Sequence, residues 1–474
     1  MALATKETAK KTATATKTSL QGVKSLMIKN FRCFDEDGVS IALDQNVTAF
    51  IGKNGSGKTA IIDALHLLLG QEYLPTRISE NDFHCKADAI KDEIFIEAET
   101  TKPFFMLLET TSSSTSIEKV IVPCNKIRLQ VKRREKAEKV LDDPFVITKT
   151  VVPIQGEISQ DLFDDLSLSS RIRLPEKIEA PREEKGSTYY LTHFKLRDGK
   201  ERTTKILDYF LTFNKGKLKE CPKTYLLDKY RAKEISGSYS LMSKVLNDLD
   251  WRLKKTDVTF EENEKIAVKI GEAVDQKKKL ISNLNRVVEN LSSDKQGFKF
   301  DFFNKDQPFT NASITKNVEG KALAPNLLGS GFHIILSYAL LQYVISLEKI
   351  PVILLVDEPE MHLHSDWQKK LYNTFVSQNQ MQIIYTTQSE NFISLENWRQ
   401  IKIVNESEVG PTIETLSQTV GDGEATISAY LDDYSDRNLH ISLFLKDNLE
   451  LLFTEKCIIV EGPAEKYALP RLLE

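Results

Sequence analysis

Two kinds of hydrophobic patterning divide the chain. In KDEIFIEAETT (91–101), NKIRLQVK (125–132) and STYYLTHFKL (187–196), apolar and polar residues alternate. A period of two predicts strands with one wet face, so these segments predict a β-rich first lobe. SSSTS (112–116) lies between the first two and is expected to be a flexible loop tip. Near-continuous apolar runs occur at VTAFI (47–51), PVILLV (351–356) and MQIIYTT (381–387). Runs of that length with no polar face predict strands buried on both sides, as in a parallel sheet. A helical period is legible from Ala60 to Leu69 and from Ile334 to Ile345. It recurs in two stripes between Ile235 and Ser293: Met242, Val245, Leu246, Leu249 and Leu253, then Leu280, Leu284, Val287, Val288 and Leu291. The last two stripes predict a helical insertion, either a hairpin packed on the main body or a dimerisation arm.

The chain has 474 residues, which predicts two to four domains. Its first twenty residues, MALATKETAKKTATATKTSL, hold too little apolar surface to fold and are expected to be a disordered tail. They contain no apolar core of the kind a secretory signal needs. No apolar run reaches the roughly 18 residues of a membrane span. Five cysteines at 33, 85, 124, 221 and 457 form no CxxC pair, which fits a reducing cytoplasm. The net charge is −4, so a nucleic-acid partner would need a local basic surface. The best local candidate for phosphate contact is KIRLQVKRREKAEK (126–139), a run with no interleaved aromatics.

The run VTAFI leads directly into GKNGSGKT (52–59), which is followed by a helical pattern. That is GxxxxGK[ST] with the strand before and the helix after that the motif requires. Gly52, Asn54, Gly55, Ser56 and Gly57 form a loop whose backbone N–H groups can turn inward around phosphates. The helix N-terminus adds its dipole at the same spot. Lys58 reaches the β- and γ-phosphates, and the Thr59 hydroxyl can ligate Mg²⁺. Such a loop needs a second half, an apolar strand that ends in a carboxylate. PVILLVDEPE (351–360) supplies it. Asp357 is the candidate magnesium holder, and Glu358 sits where a general base polarises attacking water. The halves stand some three hundred residues apart, so something is inserted between them.

Three further stretches narrow the reading. Gly329-Ser330-Gly331 precedes the long apolar helix and resembles the signature motif of ABC-type ATPases. That resemblance implies contact with the γ-phosphate held by an opposite protomer. EMHLHSD (360–366) resembles the D-loop segment, and it makes His362 and His364 interface or packing groups rather than metal ligands. MQIIYTTQS resembles the strand and switch of these ATPases, with Gln388 where the family usually carries His. An amide can hydrogen-bond a phosphate or a water but takes up no proton at neutral pH.

The opening IKNFRCF (28–34) with GKNGSGKT resembles the heads of the SMC, Rad50 and RecF group. Near the end, NLELLFTEK (448–456) and CIIVEGPAE (457–465) resemble the helix, strand and VEGxxE turn that open a Toprim nuclease. Together these features resemble the OLD (overcoming lysogenization defect) family, which joins an ABC-type ATPase to a Toprim nuclease. The resemblance implies an α/β fold, an SMC/RecF-like P-loop head. Its parts would be an ATPase lobe over 21–230, a helical insertion over 231–300 as a dimerisation arm, and a second ATPase lobe over 301–425. Connecting helices over 426–455 and a Toprim start over 456–474 would follow. Glu461 and Glu465 would bind Mg²⁺ or Mn²⁺. The downstream DxD of a Toprim does not follow Glu474, so this chain alone is expected to lack a complete nuclease site.

The function so implied is an ATP-binding, ATP-hydrolysing head whose homodimerisation, or higher assembly, regulates a DNA endonuclease in DNA processing or anti-phage defence. An accessory defence protein is an implied partner. The alternative is an SMC/RecF-like ATP-dependent DNA clamp or sensor that recruits a partner nuclease. A transporter subunit is disfavoured by the Phe-Arg opening and the long insertion.

Overall fold

The computed structural model describes residues 21–70, 74–86, 89–90, 93–113, 116–134, 144–164, 166, 172–184, 186–195, 201–213, 215–227, 279, 282, 285–290, 298–301, 313–318, 321–323, 330–347, 351–394, 400–407 and 410–415. The tail over 1–20, most of the insertion, Gly329, the connecting helices and the Toprim-like segment with Glu461 and Glu465 lie outside the described residues.

The molecule is organised around a six-stranded sheet. Its strands are β2 (Val47–Ile51), β6 (Lys223–Leu227), β7 (Val352–Asp357), β8 (Gln382–Thr387), β9 (Ile401–Asn405) and β10 (Thr412–Thr415), in the order β6-β7-β8-β2-β9-β10. All neighbours run parallel except the terminal β9–β10 pair. The strands β2, β7 and β8 are buried at every position, which explains their unbroken apolar runs. Successive side chains serve opposite layers. Phe50, Ile353, Leu355 and Ile384 join a core shared with α1 (Lys58–Leu69) and the β-lobe. Val47, Ala49, Leu354, Val356 and Ile383 join a second core with α2 (Ser330–Leu347) and α3 (Ser365–Ser377). Phe375 of α3 centres that second core, within 6.2 Å, centroid to centroid, of Tyr338, Tyr385 and Phe392.

The β-lobe is built on β1 (Val23–Lys29), β3 (Glu93–Ser113), β4 (Ser116–Arg133) and β5 (Phe145–Pro153), all antiparallel neighbours in the order β1-β3-β4-β5. A second antiparallel sheet follows, centred on the strand Ser187–Lys195. The three alternating segments are therefore strands, as their patterning predicts. The expected loop at Ser112–Ser116 is shorter than its composition suggests. Pairing runs on to Ser113 opposite Ser116, because β-branched Thr110, Thr111 and Ile117 carry the ladder to the tip.

The basic run is also different in place. On β4, Lys126 and Arg128 both pair with Glu97 of β3, Lys132 pairs with Glu93, and Arg133 with Glu80. Alternation sets Lys126, Arg128 and Lys132 on one face, where β3 sets Glu93 and Glu97 opposite, while Arg133 points to the other face and reaches Glu80 outside the sheet. Among the described residues of this run, the charge of Lys126, Arg128 and Lys132 is locally balanced across the sheet.

Beyond the shared core, a buried polar side chain also ties the lobe to the central sheet. Gln382 opens β8 and is fully buried. Its Nε2 donates to Val23 O and Asp44 O, each at 2.7 Å, and its Oε1 accepts from Val23 N at 2.8 Å.

Candidate nucleotide site

The strand β2 ends at Ile51, and the chain then wraps over residues 52–57 before α1 begins at Lys58. Gly57 caps that helix at φ 101°, in the region L side chains avoid. A Cβ there would also lie 2.9 Å from Cys33 Sγ and 3.0 Å from Pro411 Cγ. Only glycine meets both demands. The Lys58 side chain folds back under the loop, its Nζ donating to Gly52 O at 2.8 Å and Lys53 O at 2.6 Å. Burial lowers its pKa, and Glu358, Asp357 and Glu360 oppose that shift. The Ser56 hydroxyl is buried in the same loop and, among the described residues, has no hydrogen-bond partner.

The two sequence halves meet at Thr59 and Asp357, 298 residues apart. The Thr59 hydroxyl lies 3.2 Å and 3.4 Å from the two Asp357 oxygens. Asp357 is 3% exposed, and its Oδ1 also accepts from Thr386 Oγ1 at 2.7 Å. That threonine sits at the end of the adjacent strand β8 and accepts the Glu358 N–H at 3.0 Å. Glu358 itself has φ 48°, a left-handed backbone that turns the chain sharply off the strand.

Gln388, just past β8, spans the site. Its Nε2 donates to Glu358 Oε1 at 3.0 Å and to Asn54 Oδ1 in the loop. Its backbone N–H donates to Glu360 Oε1 at 2.6 Å. Burial pushes the Glu360 carboxyl up, and hydrogen bonds from Gln388 and Thr387 oppose it. Thus Asn54, Lys58, Thr59, Asp357, Glu358 and Gln388 form one constellation. Gly331 joins it from behind, in the first turn of α2. A Cβ on Gly331 would fall 2.3 Å from His362 O, so the start of α2 packs directly on the loop that follows β7.

Two features of the site were not legible in the sequence. Arg32, at φ 51°, pairs through Nη1 with Asp63 of α1 at 2.5 Å and through Nε with Asp82 at 2.9 Å. It clamps the Phe-Arg turn onto the helix behind the phosphate loop. Burial raises the Asp63 carboxyl above its ordinary range, against the pull of Arg32. The second feature is β6, which lies beside β7 and borders the site sheet. Sequence position alone groups it with the β-lobe.

The donor set suits a magnesium nucleotide. Thr59 and Asp357 offer hard oxygens, and Mg²⁺ binds through one or two such ligands together with phosphate and water. No cluster of three His, Cys, Asp or Glu occurs among the described residues, and this mode of binding needs none. The orphaned Ser56 hydroxyl and the inward Lys58 ammonium are the donors that phosphate oxygens take. Among the described residues no helix is long and apolar enough to cross a membrane.

Comparison with known proteins finds three kinds of match. The chain is similar to an OLD nuclease of Thermus scotoductus, 23% identical over 456 residues, which span 94% of this chain and 72% of that protein. Among solved structures, an Smc head domain with an extended coiled coil, bound to the C-terminal domain of ScpA and derived from Pyrococcus furiosus, has a TM-score of 0.45 at 15% identity, covering 84% of this chain and 96% of that one. The SMC head domain from Thermotoga maritima has a TM-score of 0.36 at 14% identity, covering 83% and 98%. Residues 22–393 match the model of the AAA ATPase domain, and with most of its length inside that match the chain belongs to the AAA ATPase domain family.

Proposed function

We propose that the chain is the ATP-hydrolysing head of an OLD-like DNA endonuclease. The observation that carries the reading is the meeting of Thr59 with Asp357 while Gln388 joins Asn54 to Glu358. A bound Mg²⁺ supplies charge neutralisation at the phosphates. The chain's own residues do the rest. Residues 52–57 present N–H groups to the phosphates, and Lys58 adds a cation that burial has partly desolvated. Thr59 and Asp357 would hold the metal. Glu358 orients the attacking water and takes its proton, and the Gln388 amide fixes the Glu358 carboxylate by donation. Because Gln388 carries no titratable proton, it positions and does not shuttle.

Two heads would associate so that Gly329, Ser330 and Gly331 of each protomer close the nucleotide site of the other. Association would control a Toprim whose first carboxylates, Glu461 and Glu465, would hold Mg²⁺ or Mn²⁺, the metal supplying charge stabilisation for DNA phosphodiester cleavage. The similarity to an OLD nuclease supports this reading over that of a clamp which recruits a separate nuclease. The test measures ATP hydrolysis with Mg²⁺ and plasmid cleavage with Mg²⁺ or Mn²⁺. The chain is expected to hydrolyse ATP with Mg²⁺, and any plasmid cleavage is expected to require Mg²⁺ or Mn²⁺. Lys58→Ala is expected to abolish nucleotide binding, and Glu358→Gln to preserve it while lowering turnover by ~10²-fold or more. Unchanged ATP affinity in the lysine variant would refute the phosphate-loop assignment.

A further inference from the structure

The helix α3 carries an anomaly. Its inward stripe is Leu371, Tyr372 and Phe375, all buried. One turn earlier, the position that continues this stripe is Gln368, where the pattern calls for another apolar side chain. A half-buried amide needs partners, and Gln368 has four. Its Nε2 donates to Leu363 O at 2.9 Å and Glu360 O at 3.3 Å. Its Oε1 accepts from Ser389 Oγ at 2.8 Å and Asn391 Nδ2 at 3.0 Å. Two donors and two lone pairs are the whole capacity of the group. Backbone carbonyls on one side fix its orientation.

The partners belong to two loops, which also meet at Glu358 and at Glu360. Glu360 and Leu363 belong to the turn after β7, whose left-handed His362 presents its carbonyl to Gly331 at the start of α2. Ser389 and Asn391 belong to the turn after β8, directly beyond Gln388. The Glu360 side chain closes the ring by accepting the Gln388 N–H. Movement of Gln388 is thereby tied through Gln368 to the Glu358–Leu363 turn and to the first turn of α2.

We propose that Gln368 is a positioning residue for ATP hydrolysis: it locks the turn that carries Gln388 to the turn that carries Glu358. The proposal rests on the ATPase reading above. Without the lock, the amide of Gln388 and the carboxylate of Glu358 lose their shared geometry while the phosphate loop keeps its own. Displacements of about 1 Å at reacting groups can cost ~10²-fold in rate, so the effect falls on turnover and not on affinity.

The experiment compares wild type with Gln368→Met, which keeps length and removes all four bonds. A second variant, Ser389→Ala with Asn391→Ala, leaves Gln368 in place and removes the donors to Oε1, together with the cap that Ser389 Oγ gives the Asn391 N–H. The triple variant completes a cycle. The readouts are kcat per nucleotide-binding site, the Kd for ATP, and the thermal midpoint. The expected result is a kcat about tenfold or more below wild type in Gln368→Met, with Kd within about twofold. The triple variant should lose little more than Gln368→Met alone, because the groups act as one unit. If Gln368→Met does not fold, the Ser389/Asn391 variant carries the test through the same drop in kcat at constant Kd. A kcat per binding site within twofold of wild type in either folded variant overturns the proposal, as does strict additivity across the cycle. A wild-type chain that binds ATP without hydrolysing it overturns the ATPase reading instead, and this proposal with it.

Discussion

Gln382 is the clearest place to weigh a single side chain. It stands fully buried at the start of β8 and bonds Val23 N, Val23 O and Asp44 O, all within 2.8 Å. Gln382→Leu keeps volume but orphans those three backbone groups. Leaving a buried polar group without its partner costs about 1–3 kcal/mol. The two groups on Val23 are in the buried region and take the middle of that range. The bond to Asp44 O is only part-buried, so water recovers most of it. Burying leucine in place of an amide returns about 1 kcal/mol. The net expectation is a loss of about 3 kcal/mol. Urea unfolding followed by circular dichroism measures it, with the slope compared to confirm that the exposed surface is unchanged. Since Gln382 stands at the opposite end of β8 from Gln388, ATP affinity in the folded variant should stay within about twofold. A loss under about 1 kcal/mol would refute the idea that this residue joins the lobe to the central sheet. A large loss of ATP affinity without loss of stability would refute the separation of roles along the strand.

Gly331→Ala places a methyl 2.3 Å from His362 O, so α2 must shift or the 358–364 turn must move. We expect a fall in thermal midpoint together with a several-fold fall in kcat, and an unchanged midpoint would refute the close packing. Lys149 is half-buried on β5, its ammonium 4.3 Å from the Phe213 ring centroid, and burial lowers its pKa to about 8 from 10.5. The unfolded chain then binds more protons than the folded one between those values, so stability rises with pH across that window. Relative to wild type, Lys149→Met should be more stable at pH 7.5, and the difference should shrink as pH approaches 10. A difference that grows with pH would reverse the sign of the argument.

The parts legible in the sequence are those whose signal is local. Continuous apolar runs at 47–51 and 352–356 specify strands covered on both faces, and GKNGSGKT joins its strand to its helix across residues 52–57. Asp357 and Glu358 were identifiable because carboxylates at the end of a buried strand are costly without a cation. The rest depended on pairings that cross between elements. The cations of β4 look like a nucleic-acid surface until β3 is laid beside them with Glu93 and Glu97. Nothing in KTYLL says which sheet the strand Lys223–Leu227 enters. Gln368 left a trace, a polar residue in an apolar stripe, but its four partners lie in two turns that only the fold brings together.

The distance between the two halves of the site bears on how the protein is made. Thr59 leaves the ribosome 298 residues before Asp357 arrives, an interval of roughly 15–60 s at ordinary rates of synthesis. During that time the phosphate loop has no β7 or β8 beside it, because both strands that flank it toward Asp357 are still unmade. Nucleotide cannot template early folding of the head. It can only reward completion, adding RT ln(1 + [L]/Kd) once the last central strands have slotted between β6 and β2. The long-range strand pairing so required predicts slow folding. It also makes ATP a selective stabiliser of finished molecules over partly folded ones.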